Sequence, residues 1–402
     1  MNSKDNSAIT GGKLMNKYFI LILIVGICLN LDQNLMTNSV TLYLTHLGGS
    51  TRISGLIGIP FAIAAIIFRI AGGYLTDHLG RRATMAAGCF IFGLTVILFG
   101  FTGSFALLFV LRAVHGAGYS LANTPMSAAT MDTCPPEKQK QASGLFYLPF
   151  AVSLSVSGAV TVAFAEKGLF TQFYLVLGLI LIVGGFVALA CNYEKIVDFR
   201  ARDGEAKKYR GISAVFDKCA LPAAILSVIG CFSTSFLNSF ILLYAAGQGF
   251  AESGVNTGLF FTVTAVIMLV MNLSVDAILK KLSETVVLAA VFIILAVGFV
   301  VQSLTGSIAG YFFLAVCYGV FSGLAFPMFY SLALRDALPE RRGAASGTVL
   351  VANDIGIGLG SAAWGVVISL AGYSVSLVLV ACVLVLGAVY AVVHYGRRPS
   401  EK

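Results

Sequence analysis

Twelve apolar runs constrain this chain more than any motif within it, because about 20 apolar residues are enough to cross a bilayer as a helix. They lie near 18–45, 53–75, 84–102, 105–130, 141–165, 169–192, 219–246, 254–279, 285–303, 307–333, 343–370 and 373–394. The chain is 58% hydrophobic and only 11% charged, with mean hydropathy +0.91, whereas a soluble domain carries about 25% charged residues. The expected fold is all-α and membrane-integral, with twelve transmembrane helices. Asn30 and Asp32 interrupt the first run, which therefore reads as a helix rather than a signal peptide.

The net charge of +8 reads as an orientation signal. With both termini cytoplasmic, 22 of the 26 Lys and Arg residues fall inside, Arg52 and Lys167 outside, and Arg69 and Arg112 within the membrane. That is the positive-inside pattern. A nucleic-acid partner is not expected, since it would need basic residues clustered on a soluble face. The eight cysteines form no C-x-x-C and sit mostly in apolar runs, so they read as buried, inert thiols. The four histidines (46, 78, 115 and 394) lack ligand spacing, and the loops are too short for a soluble active site. The chain is expected to be no enzyme, with no metal and no cofactor.

The longest polar interval separates six runs from six. It divides the chain into an N-terminal half (1–192), a solvated cytoplasmic linker (193–218) and a C-terminal half (219–402). The halves match at one offset: Pro136-Glu137 and Ala142-Ser143-Gly144 recur 203 residues later as Pro339-Glu340 and Ala345-Ser346-Gly347. Gly116 and Gly319, Leu121 and Leu324, and Gly55-Leu56 and Gly258-Leu259 keep the same register. A duplicated six-helix unit follows, the 6+6 pseudo-symmetric plan of parallel-repeat carriers.

Four charges lie well inside apolar runs: Asp32 in the first, Arg69 in the second, Arg112 in the fourth and Asp354 in the eleventh. A charge there is expensive unless it faces a cavity or a partner, so each is a candidate functional group, with a static ion pair as the alternative. Helical rise puts Asp32 about 21 Å, and Arg112 about 20 Å, from the cytoplasmic side. They share a level.

Between the second and third runs stands Gly73-Tyr74-Leu75-Thr76-Asp77-His78-Leu79-Gly80-Arg81-Arg82. It resembles the G-x-L-x-D-x-x-G-R-R signature loop of the major facilitator superfamily. Leu31-Asp32-Gln33 with Asn34, Thr37 and Asn38 resembles the L-D-x-T-x-x-N motif of that superfamily's drug:proton antiporters, with Asn34 in place of Thr. Arg112 to Gly118 resembles their R-x-x-Q-G-x-G motif, with His115 in place of Gln. The fifth-helix antiporter motif G-x-x-x-G-P-x-x-G-G is missing from Ala151 to Ala159.

The resemblance implies that helices 1 and 4 line a central cavity, where protonating Asp32 would release Arg112 and couple transport to protons. His115 either joins that path or packs as a hydrogen-bonded core residue. Helices 2 and 11 adjoin in the resembled fold, so Arg69 and Asp354 are an expected interdomain bridge; alternatively Asp354 faces the cavity. The family's loop aspartate caps the cytoplasmic end of helix 11, which makes Gly73, Asp77, Gly80, Arg81 and Arg82 a gating loop. Their C-terminal counterparts are Asp276, Lys280, Ser283, Glu284 and Thr285, so the device is one-sided.

Cargo candidates are Ser233, Thr234, Ser235 and Asn238 in the seventh run, Tyr318 and Tyr330 in the tenth and Tyr147 in the fifth. They suit small amphipathic or cationic molecules, exported in exchange for protons; import of a small, anionic metabolite by symport is the other reading. The partners expected are a small-molecule substrate, protons and the lipid bilayer, for a monomer in a bacterial cell membrane.

Overall fold

The computed structural model describes residues 15–134, 139–195, 216–335, 337–338 and 341–396, and among these every regular element is helical. In order they are α1 (Lys17–His46), α2 (Thr51–Leu56), α3 (Gly58–Leu79), α4 (Arg81–Phe99), α5 (Phe105–Asp132) and α6 (Gln139–Glu166). There follow α7 (Phe170–Ala190), α8 (Leu221–Gly247), α9 (Leu259–Leu279), α10 (Glu284–Thr305), α11 (Ile308–Arg335) and α12 (Arg342–Tyr395). Among the described residues eleven spans are long and apolar enough to cross a membrane, α2 and α3 counting as one.

α12 has 54 residues, and Gly372 interrupts it with φ 77° and ψ 176°. That break falls between the eleventh and twelfth apolar runs. At about 1.5 Å per residue an unbroken helix of this length would reach about 80 Å, far beyond one bilayer core.

The connection between α3 and α4 departs from the sequence expectation. Residues Gly73 to Leu79 continue α3, and the expected loop shrinks to Gly80, with φ 93° and ψ 159°. A side chain is strained at that φ, and a Cβ there would also lie 2.9 Å from Glu194 Oε2. Thr76 returns its hydroxyl to the Gly72 carbonyl at 2.5 Å, so this polar residue leaves the helix intact.

The chain forms two compact units. The first comprises Met1–Met36, Pro60–Ser153 and Gly168–Arg210; the second comprises Thr37–Ile59, Leu154–Lys167 and Gly211–Lys402. In the first, α5 lies close against α3 and α4: a Cβ on Gly116 would overlap the Phe61 carbonyl, and one on Gly118 would reach the Phe92 backbone at 2.8 Å. In the second, a Cβ on Gly319 would meet the Thr264 carbonyl at 2.7 Å. Phe61 and Thr264 are themselves 203 positions apart, so the same contact recurs in both units.

The second unit also holds two related seams. Gly55 lies against the Ser361 backbone and receives the Ser361 hydroxyl on its carbonyl at 2.6 Å, while Gly258 lies against the Gly158 carbonyl. Adding 203 to Gly55 and Gly158 gives Gly258 and Ser361, so the repeat exchanges one seam for the other. Six cysteines are buried, but Cys219 and Cys382 are exposed, unlike the expectation for buried thiols.

Candidate functional site

Asp32, His115 and Arg112 meet in the first unit. Gly116 and Gly118 let α5 press against its neighbours, which seats His115 between Phe92 and Phe61 at ring distances of 4.3 and 5.4 Å. His115 Nε2 lies 3.5 Å from Asp32 Oδ2, and its Nδ1 lies 2.7 Å from Arg112 Nη1. The Arg112 guanidinium also stacks over Phe61 at 4.6 Å, a cation–π contact that steadies a desolvated charge. Asp32 and His115 are fully buried.

The direct Asp32–Arg112 pair expected from depth is replaced by a relay, because the imidazole occupies the space between them. A guanidinium only donates, so His115 Nδ1 accepts and the ring proton sits on Nε2, facing Asp32. Neither Asp32 oxygen has a hydrogen-bond partner among the described residues. Asn34 stays outside this chain: its amide donates to the Asn30 carbonyl of its own helix at 3.0 Å.

In the second unit the structure brings together two other predicted residues. Tyr318 donates its hydroxyl to Asn238 Oδ1 at 3.1 Å. Nearby elements hold a polar group that sequence reasoning passed over: Asn353 accepts from Ser227 and from Cys231 Sγ at 3.5 Å, and donates to the Tyr330 hydroxyl at 3.4 Å. Its signal was present, as an amide beside Asp354 in a glycine-rich apolar run. Arg69 is buried in the first unit and Asp354 in the second.

At the Gly80 turn Arg81 pairs with Asp132, and its amide, with that of Arg82, donates to Glu194 Oε1. The adjacent Tyr193 donates its hydroxyl to Asp132 at 3.2 Å. Burial pushes the Tyr193 phenol well above its ordinary range, so it remains a donor. Tyr193 and Glu194, expected in a solvated linker, are packed against the turn. The rest of that linker from 196 to 215 lies outside the described residues, as do the side-chain surroundings of Gly73 and Asp77.

The other end of the linker is also tied down. Asp217 accepts from the Cys219 amide at 2.9 Å and from Arg341 Nε at 2.6 Å, and its own amide donates to Thr348. Burial raises the Asp217 carboxyl, but the hydrogen bonds from Arg341 and the Cys219 amide and the Arg341 charge outweigh it. The group therefore titrates below the ordinary carboxylate range.

The long apolar helices define a multi-pass membrane protein, and the family and relatives that the chain matches make it a transporter rather than an enzyme. The family pattern described as Major Facilitator Superfamily matches residues 22–361, and the chain belongs to that superfamily. It is 22% identical over 370 residues to an uncharacterized MFS-type transporter of Methanocaldococcus jannaschii, covering 90% of this chain and 93% of that one. The staphylopine export protein of Staphylococcus aureus is 20% identical over 336 residues, covering 81% and 83%. Among solved structures, a POT family transporter in complex with a thioalcohol-conjugated peptide superposes with TM-score 0.79 at 12% identity, covering 95% and 96%. That likeness concerns the fold.

Proposed function

We propose that this protein is a proton-coupled secondary transporter that exports small amphipathic or cationic molecules by alternating access. The observation that carries the reading is Asp32, fully buried in a membrane span with His115 standing between it and Arg112. A carboxylate so placed is expensive to keep charged without a task. Protonation of Asp32 removes its attraction for the imidazole and leaves Arg112 as the charge of the cavity. The staphylopine exporter among its relatives fits the export direction.

The architecture proposed has twelve crossings in two six-helix halves, 1–192 and 219–402, joined by the linker 193–218, with both termini cytoplasmic in a bacterial cell membrane. The Gly372 break and the recurrence of Phe61–Gly116 as Thr264–Gly319 support it. The protein acts as a monomer. Arg69 and Asp354 form a bridge that opens during the cycle, and Gly73, Asp77, Gly80, Arg81 and Arg82 act as the gate. Asn238 and Tyr318, with Asp354 as a second acidic group, contact cargo.

Proteoliposomes with an acid lumen test the reading, using ethidium as a planar amphipathic cation. Accumulation that collapses with the pH gradient is expected, and its absence for ethidium and related cations sinks the export reading. Buried Arg69 and Arg112 favour a second reading, symport of an anionic metabolite. It requires accumulation under the opposite gradient. For the bridge, exchanging the charges of Arg69 and Asp354 together should restore flux lost in each single variant.

A further inference from the structure

The two repeats carry one ion pair with opposite polarity. Arg81, the first residue of α4, pairs with Asp132, the last of α5. The positions 203 residues later are Glu284, the first residue of α10, and Arg335, the last of α11, and they also pair, at 2.6 Å. A helix start carries partial positive charge and a helix end partial negative charge. Glu284 and Arg335 therefore sit where the helix dipoles favour them, while Arg81 and Asp132 sit where the dipoles oppose them.

Solvent sharpens the contrast. The Arg81 and Asp132 side chains are 10% and 13% exposed, against 43% and 41% for Arg335 and Glu284. The exposed pair is screened by water; the desolvated pair leaves a buried charge behind if one member moves away.

Capping divides the same way. Ser283 caps α10 with its own hydroxyl at 3.4 Å from the Val286 amide. Its counterpart Gly80 has no side chain, and Glu194 supplies the cap to α4 through the amides of Arg81 and Arg82. Tyr193 meanwhile donates to Asp132. Residues 193 and 194, which follow α7, thus bring an anion to the start of α4 and a donor to the end of α5. Each compensates an adverse dipole.

We propose that Glu194 is a positioning residue of the transport cycle. Acting through the start of α4, it makes the Gly80 turn a releasable clamp held by residues 193 and 194, whereas Glu284–Arg335 is a self-sufficient strut. The effect on flux rests on the Gly80 turn being the gate; the clamp itself does not.

Thermal unfolding of the full chain in detergent tests the clamp. Glu194→Gln keeps an acceptor oxygen but removes its charge from the start of α4, and should lower the melting temperature by about 1–2 °C, and Glu284→Gln should lower it by less than about 0.5 °C. With Arg81→Glu and Asp132→Arg together, α4 and α5 take the polarity of α10 and α11. In that background Glu194→Gln should leave the melting temperature unchanged or raise it. Equal losses in the two backgrounds, or a Glu284→Gln loss as large as that of Glu194→Gln, overturn the clamp; if the double swap does not fold, the second comparison decides. Ethidium flux then tests positioning: Glu194→Gln should change turnover severalfold with KM within about twofold, and Glu194→Asp should restore it. A variant with lowered melting temperature but native turnover overturns the transport role and leaves the clamp standing.

Discussion

His115 stands between Asp32 and Arg112, its Nε2 3.5 Å from one and its Nδ1 2.7 Å from the other. Because Arg112 can only donate, the ring turns its proton toward the carboxylate. A single ring, held between Phe61 and Phe92, thus stands between the two charges. Asp32→Asn should abolish accumulation driven by a pH gradient while leaving substrate exchange at zero gradient. His115→Phe, which keeps the ring stacking, should slow driven flux by about 10²-fold, the scale of a lost proton-transfer group. Flux assays with and without the gradient check both, and gradient-driven accumulation by Asp32→Asn sinks the coupling role.

Tyr318 and Asn238 give a narrower prediction. Tyr318→Phe keeps the ring and removes the hydroxyl bonded to Asn238 at 3.1 Å. On the proposal that this bond orients Asn238 toward cargo, the loss of about 1 kcal/mol falls on binding, and KM should rise about fivefold with turnover little changed. A fall in turnover with unchanged KM would place the pair in the cycle rather than on the cargo.

How much of this was legible in the sequence depends on what each feature rests upon. Crossing length is a property of composition, so α1 and α5 begin and end within about two residues of the apolar runs that foretold them. Asp32 and Arg112 were visible as charges at one depth, but the position of His115 between them follows from Gly116 and Gly118 admitting α5 to close contact, which depends on tertiary packing. The polar residues Thr76 to His78 read as a loop, yet a helix end can carry polar side chains, and only Gly80 breaks the helix. Glu194 read as solvated because its partners are backbone amides, which no residue pattern displays. Asp132 and Arg335 were legible by arithmetic once Arg81 and Glu284 were aligned.

The glycine seams of the second unit should resist substitution. A Cβ on Gly258 would overlap the Gly158 carbonyl, and one on Gly55 would lie 2.9 Å from Gly365 Cα. Since backbone rather than a flexible side chain is in the way, Gly258→Ala and Gly55→Ala should each destabilise by about 1–3 kcal/mol. Gly247→Ala, with nothing within 4 Å of the added atom, should stay within about 0.5 kcal/mol. Melting temperatures in one detergent rank the three, and a Gly258→Ala variant as stable as Gly247→Ala refutes the seam.

Asp217 and Arg341 set a pH limit on the C-terminal end of the linker. Asp217 caps the turn leading into α8 and accepts from Arg341 Nε at 2.6 Å, while Arg341 Nη2 donates to the Phe216 carbonyl at 2.6 Å. Its carboxyl titrates below the ordinary range in the folded protein, against about 3.9 when unfolded. A depressed folded pKa gives stability that is fully present above the unfolded value and is lost as pH falls through the folded one. Asp217→Asn should therefore cost about 1–2 kcal/mol at pH 7. The gap between native and variant should hold from pH 8 to about 5 and close below about pH 4. Arg341→Gln should remove much of the same gap, since the guanidinium is one cause of the depression. Denaturation of the three proteins across this range checks the sign: a gap that widens as pH falls below 4 means that Asp217 is not held as a carboxylate by Arg341.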